Sequence, residues 1–159
     1  MSLDAPSKPQ VSGAGLRFGI AAARFNEDLV TSLLNRLQAS LQASGVKAKD
    51  LVVVRVHGSH EVPWAAARLA AGRRFDCVIA LGVLIGGDTN HHEMVGQSVS
   101  HALQRVALDS GVPVINGVIV TDTPAQARAR CAGRINRGAE FAHAALAMAA
   151  LKRKLGGKS

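Results

Sequence analysis

The chain is poor in aromatics, which make up 3% of its 159 residues, and it contains no tyrosine. A single-strand nucleic-acid platform, which stacks bases on successive rings, is therefore poorly supported. Cysteine is scarce too. Cys77 and Cys131 stand far apart and form no C-x-x-C pair, so neither a disulfide framework nor a cysteine-rich zinc module is expected, and a reducing cytoplasm fits. No apolar run is long enough to span a bilayer. The first residues, MSLDAPSKPQVSGAG, lack the apolar centre of a signal peptide. Also missing are a Walker loop, a G-x-G-x-x-G fingerprint and an H-E-x-x-H pair.

What is present has the size of one domain, with 48% hydrophobic residues and enough chain to bury a core. The formal net charge is +8, and from Thr123 onward there are eight Lys/Arg against Glu140 alone. Such a face suits an anionic small molecule, a membrane surface or nucleic acid, or is merely solvated.

Residues 1–14 read as a flexible arm, 15–155 as one domain and 156–159 as a tail. Within the domain, apolar runs alternate with amphipathic stretches. Runs 16–23, 51–56, 77–85 and 112–120 read as strands. They lack period-two alternation, which fits burial on both faces. Stretches 27–43, 62–71, 92–110, 124–132 and 137–155 read as helices. Leu29, Leu33, Leu34, Leu37 and Leu41 form one helical stripe, and Pro63 is tolerated in a first turn. The alternation implies a four-stranded parallel sheet with helices on both faces. Ligands of such sheets bind beyond the carboxyl ends of the strands. Three unusual segments fall at those ends: Arg24-Phe25-Asn26, His57 to Glu61, and Gly86 to Glu93.

The third segment, in LGVLIGGDTNHHEMVG, admits several chemistries. His57, His60, His91 and His92, with Asp88, Glu61 and Glu93, offer metal ligands, but adjacent histidines point different ways and no specific zinc spacing is present. Gly86-Gly87-Asp88-Thr89 before a helix suits an anion. A turn capped by Thr89 or Asn90 is the plainer alternative. His91, at the end of an anion-suited loop, can exchange protons near neutral pH. Phe25 either staples its helix or stacks on a flat heterocycle. Arg128, Arg130, Arg134 and Arg137 either grip phosphate or solvate the surface.

Read together, these segments resemble the lumazine synthase family. The boxes are Ala23-Arg24-Phe25-Asn26, Val56 to Pro63, Leu81 to His91, Pro113 to Val118, Thr121 to Ala127 and Asn136-Arg137-Gly138. The resemblance spans residues 15–155 and implies a flavodoxin-like three-layer α/β sandwich. It implies condensation of 5-amino-6-(D-ribitylamino)uracil with 3,4-dihydroxy-2-butanone 4-phosphate, releasing phosphate, with no cofactor and no metal.

Carried over by position, Phe25 would stack on the pyrimidine. Ser59, His60, Glu61, Val83, Leu84 and Ile85 would hold the uracil and ribityl chain. Asp88 and Thr89 would occupy the phosphate loop, and His91 would shuttle protons. Arg130 and Arg137 would reach the phosphate from a neighbouring subunit, and Asn116 stands where a residue helps enclose the pyrimidine. The family's sites lie between subunits of a pentamer, with decamers and icosahedral shells as larger forms. Riboflavin synthase is an implied partner; a membrane is not, and nucleic acid is disfavoured.

Several positions depart from the family pattern. Gly86 stands where an arginine is usual, Asp88 where a small neutral residue is usual, and Asn116 where an aromatic or apolar residue is common. His57 replaces a proline and His60 a frequent aromatic. A loop that loses a guanidinium and gains a carboxylate should hold phosphate more weakly. The expectation is an active but slow enzyme. The alternative is a non-catalytic paralogue that keeps the oligomer and binds flavin- or pterin-like ligands.

Overall fold

In the computed structural model, which describes Ser7 and residues 10–156, the chain alternates strand and helix. The strands are β1 (Phe18–Ala23), β2 (Leu51–Val56), β3 (Cys77–Ile85) and β4 (Val114–Thr121). The helices are α1 (Glu27–Ala43), α2 (Val62–Ala71), α3 (His91–Ser110), α4 (Pro124–Cys131) and α5 (Arg137–Leu155). All strand pairs are parallel, in the order β2-β1-β3-β4. The fold is the expected flavodoxin-like α/β sandwich.

Residue type sorts the two layers. On one face Phe18, Ile20 and Ala22 of β1 and Cys77, Ile79, Leu81 and Val83 of β3 pack with Leu33, Leu37 and Leu41 of α1, and with Ala142, Ala145, Leu146 and Ala149 of α5. On the other face β1 and β3 present Ala21, Ala23, Val78 and Ala80 to Ala65, Ala66 and Ala70 of α2 and to Val99 and Leu103 of α3. Small residues on both sides let α2 lie close to the sheet. Gly19 continues the pattern: a Cβ there would stand 3.0 Å from the Phe75 ring.

Element ends follow local chemistry. Thr123 Oγ1 accepts from the Gln126 amide at 3.2 Å, with Pro124 beginning α4. Asn136 Oδ1 accepts from the Ala139 amide at 3.0 Å at the start of α5. Gly111 ends α3 at φ 73, in the left-handed region that glycine enters without strain. The first and last strands are shorter at their starts than their apolar runs. Leu16 and Val112 are buried but lie outside the ladder. Of the arm read over residues 1–14, residues 1–6, 8 and 9 lie outside those described, as do 157–159 of the tail. The described end of the arm is held on the domain: the Gly13 amide donates to Ser44 O at 2.7 Å, and Val11 packs against the larger core cluster.

Opposite the strand ends that matter for function, Asp76 fastens the layers. Its carboxylate accepts from Arg153 Nε at 2.8 Å, from an Arg153 terminal nitrogen at 2.9 Å and from the Arg17 amide at 2.8 Å. Asp76 is buried while Arg153 is about half exposed, so solvent screens the ion pair from one side only. These bonds tie the end of α5 to the starts of β1 and β3. Asp76→Ala should lower the free energy of unfolding by about 1–2 kcal/mol, since it leaves the Arg17 amide without its acceptor, while the half-exposed Arg153 keeps solvent and Gly15 O. Urea unfolding of the variant measures this.

Both cysteines are free and buried. Burial pushes the Cys131 thiol up to about 11, against the lowering influence of Arg36 and Arg130, and pushes Cys77 higher still. A thiol whose folded value lies above its unfolded value stabilises the fold only while protonated. The contribution of Cys131 is therefore complete below about pH 9 and lost as the pH rises through about 11. Native protein should resist thiol labelling at pH 8 and lose stability in that alkaline window; labelling time courses with and without denaturant check it.

Candidate active site

Parallel strands bring their carboxyl ends to one edge, and local hydrogen bonds tie those ends together. Beyond β1, the Arg24 and Phe25 amides donate to Val56 O at 2.8 Å and His57 O at 3.1 Å. Asn26 then turns the chain in the left-handed region at φ 56, which asparagine tolerates. Its side-chain amide donates to Val83 O at 2.9 Å, so the exit of β1 is fixed to β3. Phe25 is left 60% exposed. His57 meets it edge-on, with centroids 5.2 Å apart and planes at 90°. A flat heterocycle can stack on such a ring.

After β2, Glu61 folds back and its Oε2 accepts from the Gly58 amide at 2.9 Å, which shapes a single 3₁₀ turn over Ser59–Glu61. His60 and Glu61 face solvent. Ser59 does not: it is buried under the turn, its Oγ has no hydrogen-bond partner among the described residues, and a Cβ on Gly82 would stand 2.4 Å from that oxygen. Ser59 underlies the site surface, where the resemblance implies a direct hold on the uracil. Val83 is likewise turned into the core, which leaves its backbone for any ligand contact. Leu84 and Ile85 are half-buried at the end of β3.

Half-buried Gly86 and exposed Gly87-Asp88-Thr89-Asn90 follow as a loop into α3. Thr89 Oγ1 accepts from the His91 amide at 3.4 Å, and the Asn90 side chain makes no cap. His91 projects to solvent, whereas its neighbour turns inward: His92 Nε2 lies 3.5 Å from Asp122 Oδ1, and neither His92 ring nitrogen has a hydrogen-bond partner among the described residues. Gly86 is structurally required here. Its amide donates to Thr121 O at 2.8 Å, and a Cβ would stand 2.7 Å from Asp122 O and 3.1 Å from Asp122 Cα. The arginine usual at this position cannot be accommodated unless the ends of β3 and β4 separate.

Asn116 lies away from this edge, and Arg130 and Arg137 have local partners. Asn116 pairs in register with Ala80, five residues before the Ile85–Thr121 pair that ends the ladder. At about 3.3 Å per residue it is roughly 16 Å from its own loop. It is exposed on an edge strand, with Oδ1 accepting from the Val118 amide at 3.1 Å. Arg130 donates to Gln126 O at 3.0 Å, and Arg137 pairs with Glu140. Asp122, at the end of β4, escaped the sequence reading. The rule that flagged the other three strand ends would have found it. A cavity of about 550 Å³ lies at the opposite side, between the N-terminal segment, α1 and α5, and shares no residue with the strand-end surface.

The 6,7-dimethyl-8-ribityllumazine synthase family model matches residues 15–153. The chain belongs to that family. Synthases of that name from Thermococcus gammatolerans and Thermococcus kodakarensis are 42% and 40% identical to it. Each alignment covers 92% of the relative, and 90% and 92% of this chain. The Bordetella petrii synthase is 41% identical over 90% of this chain and 80% of its own length. The family is one of transferases, and its boxes account for each strand-end segment described above.

The Gly82–Ser59 contact makes a specific prediction. Gly82→Ala should cost about 1–3 kcal/mol by overpacking. Adding Ser59→Ala should recover part of that, because it removes the nearer of the two clashing atoms. A double-mutant cycle of thermal or urea unfolding reads the coupling.

Proposed function

We propose that the chain is the lumazine synthase of riboflavin biosynthesis. It would condense 5-amino-6-(D-ribitylamino)uracil with 3,4-dihydroxy-2-butanone 4-phosphate to 6,7-dimethyl-8-ribityllumazine. The amine adds to the ketone and loses water as an imine. Phosphate is eliminated, and the second amine closes the ring with loss of another water. The observation that carries this reading is the family match over residues 15–153, which takes in all three strand-end segments.

In this reading Phe25 stacks on the pyrimidine, and His60, Glu61 and the backbone of Val83 to Ile85 hold its polar edge and the ribityl chain. Gly87 to Thr89 hold the phosphate at the start of α3, where backbone amides and the helix dipole favour an anion. His91 accepts and returns protons during imine formation and ring closure.

Asn116, Arg130 and Arg137 act in a neighbouring copy's site, and the working unit is a homopentamer. Two observations support that assembly. Asn116 is far from its own loop, and the outer strands present exposed Val54 and Val120, edges that usually need cover. The reducing cytoplasm remains the compartment that suits two free buried thiols. No helix among the described residues is long and apolar enough to cross a membrane.

Mixing the two substrates with the protein should generate the fluorescent lumazine above the uncatalysed rate. His91→Ala should slow turnover by up to about a hundredfold, the spontaneous condensation setting the floor. Phe25→Ala should raise KM for the uracil more than it lowers kcat. An intact oligomer without turnover would point instead to a non-catalytic member that binds flavin- or pterin-like ligands.

A further inference from the structure

We infer that His57 is a positioning residue for the ring of Phe25, and that it sets the pose in which Phe25 stacks on the uracil. The inference rests on the function proposed above and deepens it. Phe25 has a fixed backbone and a nearly bare side chain. Its amide donates to His57 O at 3.1 Å, and the Arg24 amide before it donates to Val56 O at 2.8 Å. Asn26 after it is held at φ 56, with its side-chain amide donating to Val83 O at 2.9 Å. The main chain on both sides of Phe25 is thus tied to a neighbouring strand. The ring itself is 60% exposed, so core packing does not choose its rotamer. A ring that is ordered only when the ligand arrives weakens binding by the freedom it then loses.

The His57 side chain supplies what the backbone does not. Its centroid lies 5.2 Å from that of Phe25, with the planes at 90°, within the range of an edge-to-face pair. Gly58 lies against the same ring: a Cβ there would stand 3.5 Å from Phe25 Cδ2. Perpendicular rings leave at least one face of Phe25 open to a flat heterocycle. His57 therefore orders the platform without covering it.

His57 is exposed, and among the described residues its side chain makes no hydrogen bond or ion pair; Phe25 is the ring it meets. The family pattern has proline at this position. Proline would keep the carbonyl that accepts from the Phe25 amide and would lose the flat ring. What this chain gains at residue 57 is thus the side chain, and the side chain faces Phe25. An edge-to-face pair is worth about a two- to tenfold change in an equilibrium constant. That is the size of gain expected from ordering one exposed ring before the ligand binds.

The test compares the full chain with His57→Ala, His57→Phe and His57→Asn. In steady-state lumazine formation His57→Ala should raise KM for the uracil about two- to tenfold, with kcat and KM for the ketone phosphate unchanged. His57→Phe keeps an aromatic edge and should restore KM. His57→Asn keeps polarity without a ring and should behave as His57→Ala does. Phe25→Leu removes the platform, so adding His57→Ala to it should change nothing further. Melting temperatures should stay together, because both side chains are exposed. The Kd of 6,7-dimethyl-8-ribityllumazine, read from its own fluorescence, should follow the same pattern without any turnover. KM and Kd unchanged in His57→Ala, full rescue by His57→Asn, an equal effect in the Phe25→Leu background, or a KM rise that appears only with a fall in melting temperature overturns the positioning role. Lumazine binding with the expected coupling but no turnover would sink the proposed activity and leave the positioning role standing. Failure of the lumazine to bind at all overturns both.

Discussion

All four strands run the same way, and most of what this chain can do depends on that. A parallel ladder collects every strand's carboxyl end on one edge, so segments separated by dozens of residues meet without a dedicated scaffold. Hydrogen bonds between those ends make the edge rigid. Asn26 to Val83 and Phe25 to His57 join three strands within three residues of their ends. Gly86 to Thr121 joins the fourth. At the opposite edge Asp76 and Arg153 bind the layers, so the chemistry sits far from the electrostatic lock that stabilises the fold.

Packing between the sheet and its two helical layers is asymmetric, and the asymmetry reaches the site. The leucine-rich face with α1 and α5 supplies bulk. The alanine-rich face with α2 and α3 supplies closeness, and there the absence of a side chain matters most. Gly82 makes room for Ser59, and Gly86 makes room for the main chain of Asp122. The departure from the family's arginine is thus coupled to how the ends of β3 and β4 meet. It also leaves a cluster of carboxylates beside His92 where the family pattern has a guanidinium close by.

Two arginines of the last third already have partners in their own chain. Arg130 and Arg137 are engaged locally with Gln126 and Glu140, and Asn116 lies midway along an exposed edge. In the proposed homopentamer, a site shared between copies would reconcile their composition with their placement: one chain would carry the ring platform, the loop and the histidine, and the next would offer its cations.

The element order was legible from the residues alone. Period 3.6 in the leucine stripe of α1, the mostly β-branched run of β2, the apolar run of β3, and stop signals at Gly45 and Gly111 all report local preferences that hold before folding. Apolarity reports burial and not pairing. The runs from Leu16 and Val112 therefore started two residues before the ladder, and Thr121, polar yet paired with Ile85, was left out. Phe25, His91 and the Gly86–Thr89 loop were recognisable because each breaks a local pattern. The inward turn of Ser59 and the meeting of His92 with Asp122 were not. Each pairs residues more than twenty positions apart, and only the closing of the ladder decides which strand ends touch.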